Sequence, residues 1–437
     1  MPQACDLLII NGIILAEPGI LRPIAHGYLS IVKGTILNLG TMADLDKPPC
    51  AKMVIDARGG IVMPGLINGH CHAAMTLFRG LADDLPLMEW LHQHIFPAEA
   101  RFVSPEMVYW CSKLAAAEMI LSGTTTVADS YFHEEAAVQA FRDTGIRAVA
   151  AQGIIDFPAP GVPDPRDNIT VASSFLENFQ GLNRIQPAIF CHSPYTCGTK
   201  TLEQAKNLTR RHGCKLFIHL AETAEEVRLI HAQHGTSPTR YLDRLGLLDQ
   251  ETVAVHCVHL TNDDISLIRE RGCGIITCPE SNMKLASGIA PVPAMLEAQI
   301  PTGLGTDGCA SNNDLDLFSE MDTLAKLHKI NSQNPTVLPA RQVLGLATSS
   351  GAKALGLSGS IGKLAPGFAA DCLILDLNTP HLTPFHNPDL LVYAAKGSDV
   401  RTVIIDGEVV MAERRILTFD IAETMAKVRE MAKQLQI

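Results

Sequence analysis

A chain of 437 residues is too long for one small bundle or sandwich and points to a large barrel with attachments, or to two or three domains. Hydrophobic residues make up 47% and charged residues 19%, which excludes disordered and collagen-like classes. The 35 Lys and Arg against 46 Asp and Glu leave a net charge of -11, so no nucleic-acid partner is expected, because phosphate binding draws on basic side chains.

The opening Met1-Pro2-Gln3-Ala4-Cys5-Asp6 has no basic stretch, and the apolar run that follows is broken by Asn11 and Glu17. Neither a signal peptide nor a membrane anchor is expected, and the reading is a soluble cytoplasmic protein with no membrane partner. The 12 cysteines are scattered, with no Cys-x-x-Cys pair, which favours reduced thiols. Cys71, between two histidines, reads as a small buried residue. The oligomeric state is not set by the sequence, and a homo-oligomer stays open.

Residues 1 to about 60 carry short apolar runs (Leu7 to Ile10, Gly27 to Val32, Met53 to Ile55) cut by glycines, the pattern of small strands and turns. The middle differs. Apolar runs recur at Ile61 to Met63, Thr124 to Ala128, Arg147 to Ala151, Ala188 to Phe190, Lys215 to Ile218, Val253 to Val255, Gly274 to Ile276 and Thr302 to Leu304. Helical stretches separate most of them, among them Pro105 to Leu121, Leu202 to His212, Ala224 to His234 and Asp263 to Arg271. Eight runs alternating with helices predict an α/β fold of the (β/α)8 TIM-barrel type over 61–361. From Gly362 short β-rich runs return before a helix near Ala422 to Gln434. Segments 1–60 and 362–437 are therefore expected to pair into one small β-sandwich domain. The proline-rich Pro158 to Pro165 reads as an irregular loop after the third run, on the face where barrel enzymes keep their chemistry.

The first run leads to Asn68-Gly69-His70-Cys71-His72. Side chains two apart on an extended chain point the same way, so the two imidazoles are aimed together. The fifth run ends in His219 and the eighth leads to Asp307. Strand ends converge on a barrel axis, so His70, His72, His219 and Asp307 offer three nitrogens and one oxygen to a single divalent ion, with room for water. Glu222, three residues past His219, is placed to carry a proton between water and a ring or leaving nitrogen. His256 directly follows the sixth run and is the candidate to stabilise developing charge, with His259 competing.

Together Pro64 to His72, His219-Leu220-Ala221-Glu222, His256-Cys257-Val258-His259, Cys278 to Gly288 and Gly305-Thr306-Asp307-Gly308 resemble the amidohydrolase superfamily, in its 5'-methylthioadenosine/S-adenosylhomocysteine deaminase branch. The resemblance covers nearly the whole chain. It implies a metal-dependent aminohydrolase in which metal-bound hydroxide attacks C6 of an adenosine-type nucleoside, giving an inosine-type product and ammonia. Binuclear members use a lysine at the end of strand four, where this chain has Cys191-His192-Ser193, so a mononuclear site is implied, with one divalent ion, zinc in the first place. His192 then takes a substrate-contact position. Glu99 resembles the carboxylate that accepts hydrogen bonds from ribose hydroxyls, and Trp90 is placed to wall the pocket.

One departure matters. Relatives can place an arginine near the end of strand three for the homocysteine carboxylate, and here Gln152 stands in Ala150-Ala151-Gln152-Gly153, with Arg147 earlier in the run and Arg166 in the proline-rich loop. Without a guanidinium fork, methylthioadenosine and adenosine are favoured over S-adenosylhomocysteine. Guanine or 8-oxoguanine deamination and chlorotriazine hydrolysis on the same frame are the competing activities. A non-catalytic assembly protein of the same descent is the competing class.

Overall fold

The computed structural model describes residues 4–18, 22–45 and 49–435, so the opening Met1-Pro2-Gln3 lies outside it. Two sheets organise the chain. The first is mixed and draws on both ends, in the order Arg415–Ile416, Glu408–Ala412, Val400–Ile405, Cys372–Leu375, Ile61–Pro64, Cys5–Ile14, Ile24–Val32 and Thr35–Thr41, with Ala51–Asp56 also paired to Cys5–Ile14. Its join is Ile61–Pro64, parallel to Ile13 and Ile14 on one side and antiparallel to Cys372–Leu375 on the other. Ile9, Ile14, Leu29, Ile31, Val62, Ile374 and Ile404 pack there as one buried cluster, each worth about 1.5–3 kcal/mol of removal from water.

That join corrects one expectation. The run Ile61 to Met63 belongs to this sheet and not to the barrel, whose first strand begins at Leu66. An apolar β-branched run reads alike in either sheet, and Pro64-Gly65 is where the chain leaves one for the other.

The second sheet is the barrel: β1 (Leu66–Cys71), β2 (Thr124–Tyr131), β3 (Arg147–Ile154), β4 (Ile185–Cys191), β5 (Leu216–Leu220), β6 (Thr252–His256), β7 (Gly274–Thr277) and β8 (Thr302–Leu304), neighbours in chain order. Pairing is parallel from β3 through β8. Where the last strand meets the first, Asp307 N–H donates to the His70 carbonyl at 3.0 Å, and Asn68 and Thr306 exchange two hydrogen bonds. Gly305 makes the approach possible, because a Cβ there would lie 2.8 Å from the His70 backbone nitrogen.

Helices Pro105–Leu121, Glu134–Thr144, Asn168–Phe179, Thr199–His212, Ala224–His234 and Asn262–Arg271 lie between barrel strands. Gly145, Gly213, Gly235 and Gly272 end four of them in the left-handed conformation that glycine adopts without strain. The chain forms two compact units, Met1–Ile67 with Ala117–Thr126 and Asp316–Asp420, and Asn68–Ala116 with Val127–Leu315 and Ile421–Ile437. Among the described residues, no helix is long and apolar enough to cross a membrane.

Candidate active site

The residues singled out from the sequence lie in the second unit; His70, His72, His192, His219, Glu222, His256 and Asp307 stand at or just beyond the ends of barrel strands, and Trp90 and Glu99 lie in the helical connection after β1. His70 and His72 straddle the end of β1, and strand alternation turns both rings inward, 4.7 Å apart between centroids. His219, one residue from the end of β5, brings its Nε2 to 3.2 Å from His70 Nε2. Asp307, just past β8, sets Oδ1 3.5 Å from His70 Nε2 and 3.2 Å from His72 Nε2. His70, His72 and His219 offer nitrogens within 4.8 Å of one another, and Asp307 offers its oxygen in a second such group with His70 and His256.

Burial and the Asp307 carboxylate pull the cluster's imidazoles in opposite directions, and at His72 burial is outweighed by the hydrogen bond to Asp307, which lifts it to about 9. Burial pulls His70 down to about 3 despite its Asp307 hydrogen bond, and drives His219 well below the usual imidazole range. Both imidazoles are therefore neutral, and their Nε2 atoms stand 3.2 Å apart, close enough for one divalent ion to take both as ligands. His72 donates from Nδ1 to the Ser130 carbonyl at 2.5 Å, leaving Nε2 for the cluster. Ser281 and Ser311 hydroxyls donate to Asp307 Oδ2 at 2.7 and 2.8 Å, which leaves Oδ1 for the same point. Burial works against the Asp307 charge, but hydrogen bonds from His70 and His72 hold its carboxyl well below the usual range. The donor set is that of a metal-binding histidine cluster.

Glu222 is buried beside it, and burial raises its carboxyl. His256 ends β6 with φ of 67° and reaches Glu222 Oε2 with its Nε2 at 3.9 Å, while its Nδ1 meets Asn282 Oδ1 at 3.0 Å. His259 takes another direction: its Nε2 meets the Ser287 carbonyl at 2.7 Å, and it does not line the pocket. Of the two candidates on this strand, His256 is the one that faces the cluster.

The pocket above the cluster encloses about 700 Å³, open space at its mouth included. A turn of π-helix, Trp90–Ile95, buries Trp90, Leu91 and Ile95, and Trp90 and Ile95 form one wall with Phe96. Glu99 lies in the same lining and accepts a hydrogen bond from the Tyr131 hydroxyl at 2.7 Å. Burial lifts Glu99 to about 7, the Tyr131 bond opposing. His192 also lines the pocket, its Nδ1 2.9 Å from Thr196 Oγ1, and burial lowers it to about 3. Gln152 stands apart. It is buried behind its neighbour Gly153, with its amide on the Gly153 carbonyl and the Glu134 N–H, and Gly153 is the residue that faces the pocket. No Lys or Arg lines the cavity among the described residues, and Arg166 is paired with Asp164 in its loop.

Sequence reading passed over Tyr131, Phe96, Phe190 and Ser311, which line the pocket, and the roles of Ser281 and Asn282. The last two sit inside the segment Cys278 to Gly288, in the short helix Pro279–Lys284 that follows the seventh strand, where the polar pair Ser281-Asn282 was the available signal.

Comparison with known proteins follows the same lines. The amidohydrolase family model matches residues 61–410. A curated relative from Syntrophobacter fumaroxidans, named 5-methylthioadenosine/S-adenosylhomocysteine deaminase, is 47% identical over 99% of this chain and 98% of its own length. One from Methanosarcina mazei, named 5'-deoxyadenosine deaminase, is 44% identical over 98% of each. The crystal structure of an adenosine deaminase from Xanthomonas campestris with bound zinc superposes with a TM-score of 0.97 at 37% identity over 100% of both chains. The converging strand ends and the end-to-end match agree: this chain belongs to the amidohydrolase family, as a hydrolytic deaminase.

Proposed function

We propose that the protein removes the 6-amino group of 5'-substituted adenosine nucleosides, methylthioadenosine and adenosine among them, and S-adenosylhomocysteine less well. The observation that carries this reading is Glu99, a buried carboxyl on the pocket wall held by the Tyr131 hydroxyl, an acceptor for which ribose hydroxyls have a use and a bare ring has none. The names of the relatives from Syntrophobacter and Methanosarcina support it.

His70, His72, His219 and Asp307 would hold one divalent ion, zinc by analogy with the Xanthomonas structure. Such an ion supplies Lewis acidity and brings the ionisation of water toward neutral pH. Glu222 takes a proton from the attacking water and gives it to the ring nitrogen beside the reacting carbon. His256, whose Nε2 lies near the Glu222 carboxylate, stabilises charge on the incoming oxygen. The C–N bond then breaks, ammonia leaves with a proton relayed by Glu222 and Asp307, and the carbon keeps the oxygen as a carbonyl. His192 contacts the purine, Trp90 packs against it, and Glu99 accepts from the ribose hydroxyls.

A panel of methylthioadenosine, adenosine, guanine and a chlorotriazine tests the reading. Turnover of the two nucleosides, with little on the bare rings, supports it; guanine or the triazine as best substrate overturns it. Glu99→Gln is expected to damage nucleoside turnover selectively.

A further inference from the structure

The turn that carries Glu222 is held from behind. β5 ends at Leu220, and Ala221 turns with φ of 50°, a left-handed conformation that a residue with a Cβ enters at a cost. The following helix, Ala224–His234, starts from Thr223, and Thr223-Ala224-Glu225-Glu226 has the spacing of a capping box. In such a box the glutamate reaches back to the N–H of the threonine. Only half of it forms here. Thr223 Oγ1 accepts from Glu226 N–H at 3.1 Å, but the Glu226 carboxylate passes over Thr223. Its Oε1 accepts the Ala221 N–H at 2.7 Å and its Oε2 the Glu222 N–H at 3.0 Å.

The same chain holds the ordinary arrangement for contrast. At the start of Asn262–Arg271, Thr261 N–H donates to Asp264 Oδ2 at 3.0 Å and Asp264 N–H to Thr261 Oγ1 at 3.2 Å, closing the box. Glu226 therefore gives up a local cap to hold two consecutive N–H groups of the turn before it. It is 2% exposed and does not line the pocket. From the other edge, the Ala221 carbonyl accepts the His259 N–H at 2.8 Å, so the peptide ahead of Glu222 is pinned on both sides.

We propose that Glu226 is a positioning residue for the deamination: its carboxylate fixes the Ala221–Glu222 turn so that the Glu222 carboxyl stands where water and the ring nitrogen are both in reach. This rests on the reading that Glu222 moves the proton. A misplacement of about 1 Å at such a group costs on the order of 100-fold.

The test uses the zinc-loaded full chain with methylthioadenosine, measuring kcat, KM, bound metal and thermal midpoint for Glu226→Gln, Glu226→Asp and Asp264→Asn. A glutamine offers one acceptor and one NH2, which opposes the second N–H. Glu226→Gln is expected to lower kcat by about 10- to 100-fold, with KM within about threefold and metal content at the wild-type level. Asp264→Asn, which opens the ordinary box, is expected to lower the midpoint and leave kcat alone. Should Glu226→Gln not fold, Glu226→Asp keeps the carboxyl group but draws it back by a methylene, and the same fall in kcat is expected. Wild-type kcat in the folded variant, or a loss shared equally by kcat, KM and metal, overturns the proposal. Glu222→Gln runs alongside: activity retained there overturns the reading beneath, whereas activity lost there and kept in Glu226→Gln overturns the positioning role alone.

Discussion

Glu99 has two protonation states with different uses, and burial sets where they exchange. Its carboxyl is lifted to about 7, so the protonated form persists to higher pH than for a solvated glutamate. Ionised, it accepts from Tyr131 and, on the proposed reading, from ribose hydroxyls; protonated, it loses an acceptor. Nucleoside binding is therefore fully present above about pH 7 and weakens as the pH falls through it. Initial rates between about pH 6 and about pH 8.5 are expected to show KM rising toward acid, approaching tenfold per unit at the low end. In Glu99→Gln the KM should be high throughout and the acid limb absent, and a flat KM in the wild type would contradict the assignment. His219→Ala, by contrast, removes a nitrogen from the cluster and is expected to lower bound metal on dialysis, with zinc content as the readout.

At the level of elements, the seam between β8 and β1 sets the cluster's geometry. Gly305 lies against the His70 backbone, where an added Cβ would stand 2.8 Å from its nitrogen and 2.9 Å from its oxygen. Backbone cannot step aside as a flexible side chain does, so Gly305→Ala is expected to cost about 1–3 kcal/mol of stability and to move His70 against Asp307. Thermal melts and zinc titration check this, and an unchanged midpoint with unchanged metal affinity would refute it. The same seam explains what a sequence reader could see. His219, His256 and Asp307 stand at or just past the ends of apolar runs, so the strand pattern itself points to them, whereas His70 lies seven residues beyond Ile61 to Met63 and is legible from the His-x-His spacing instead. Their partners are harder to find. Ser281 and Ser311 reach Asp307 across 26 and 4 residues, and Tyr131 reaches Glu99 across 32, contacts that no local periodicity records. Ile61 to Met63 was legible as a strand but not as to which sheet, because a buried apolar strand carries the same residues in both. Glu226 reads as a helix cap, and only the fold reveals which N–H groups it holds.

For the molecule as a whole, charge shapes substrate choice. Among the described residues no Lys or Arg lines the pocket, so on the proposed reading a homocysteine carboxylate meets no cationic partner there, whereas a methylthio group gains by burial against Ile95 and Phe96. The expected order of kcat/KM places methylthioadenosine above S-adenosylhomocysteine, by about tenfold or more, the value of one charge-assisted hydrogen bond. Equal or reversed values would mean that a basic group reaches the pocket with substrate bound, and Arg166, in the loop after β3, would be the first to replace, since Arg147 opens β3 at the end away from the pocket. The central claim is that one metal cluster and one glutamate carry out the deamination. It is tested most directly by ammonia release from methylthioadenosine by zinc-loaded wild-type protein and by Glu222→Gln at equal zinc content. Stoichiometric ammonia and inosine-type product from the wild type are predicted, with a fall of about 100- to 10,000-fold in the variant; no ammonia from the wild type, or near-normal rates in the variant, would contradict it.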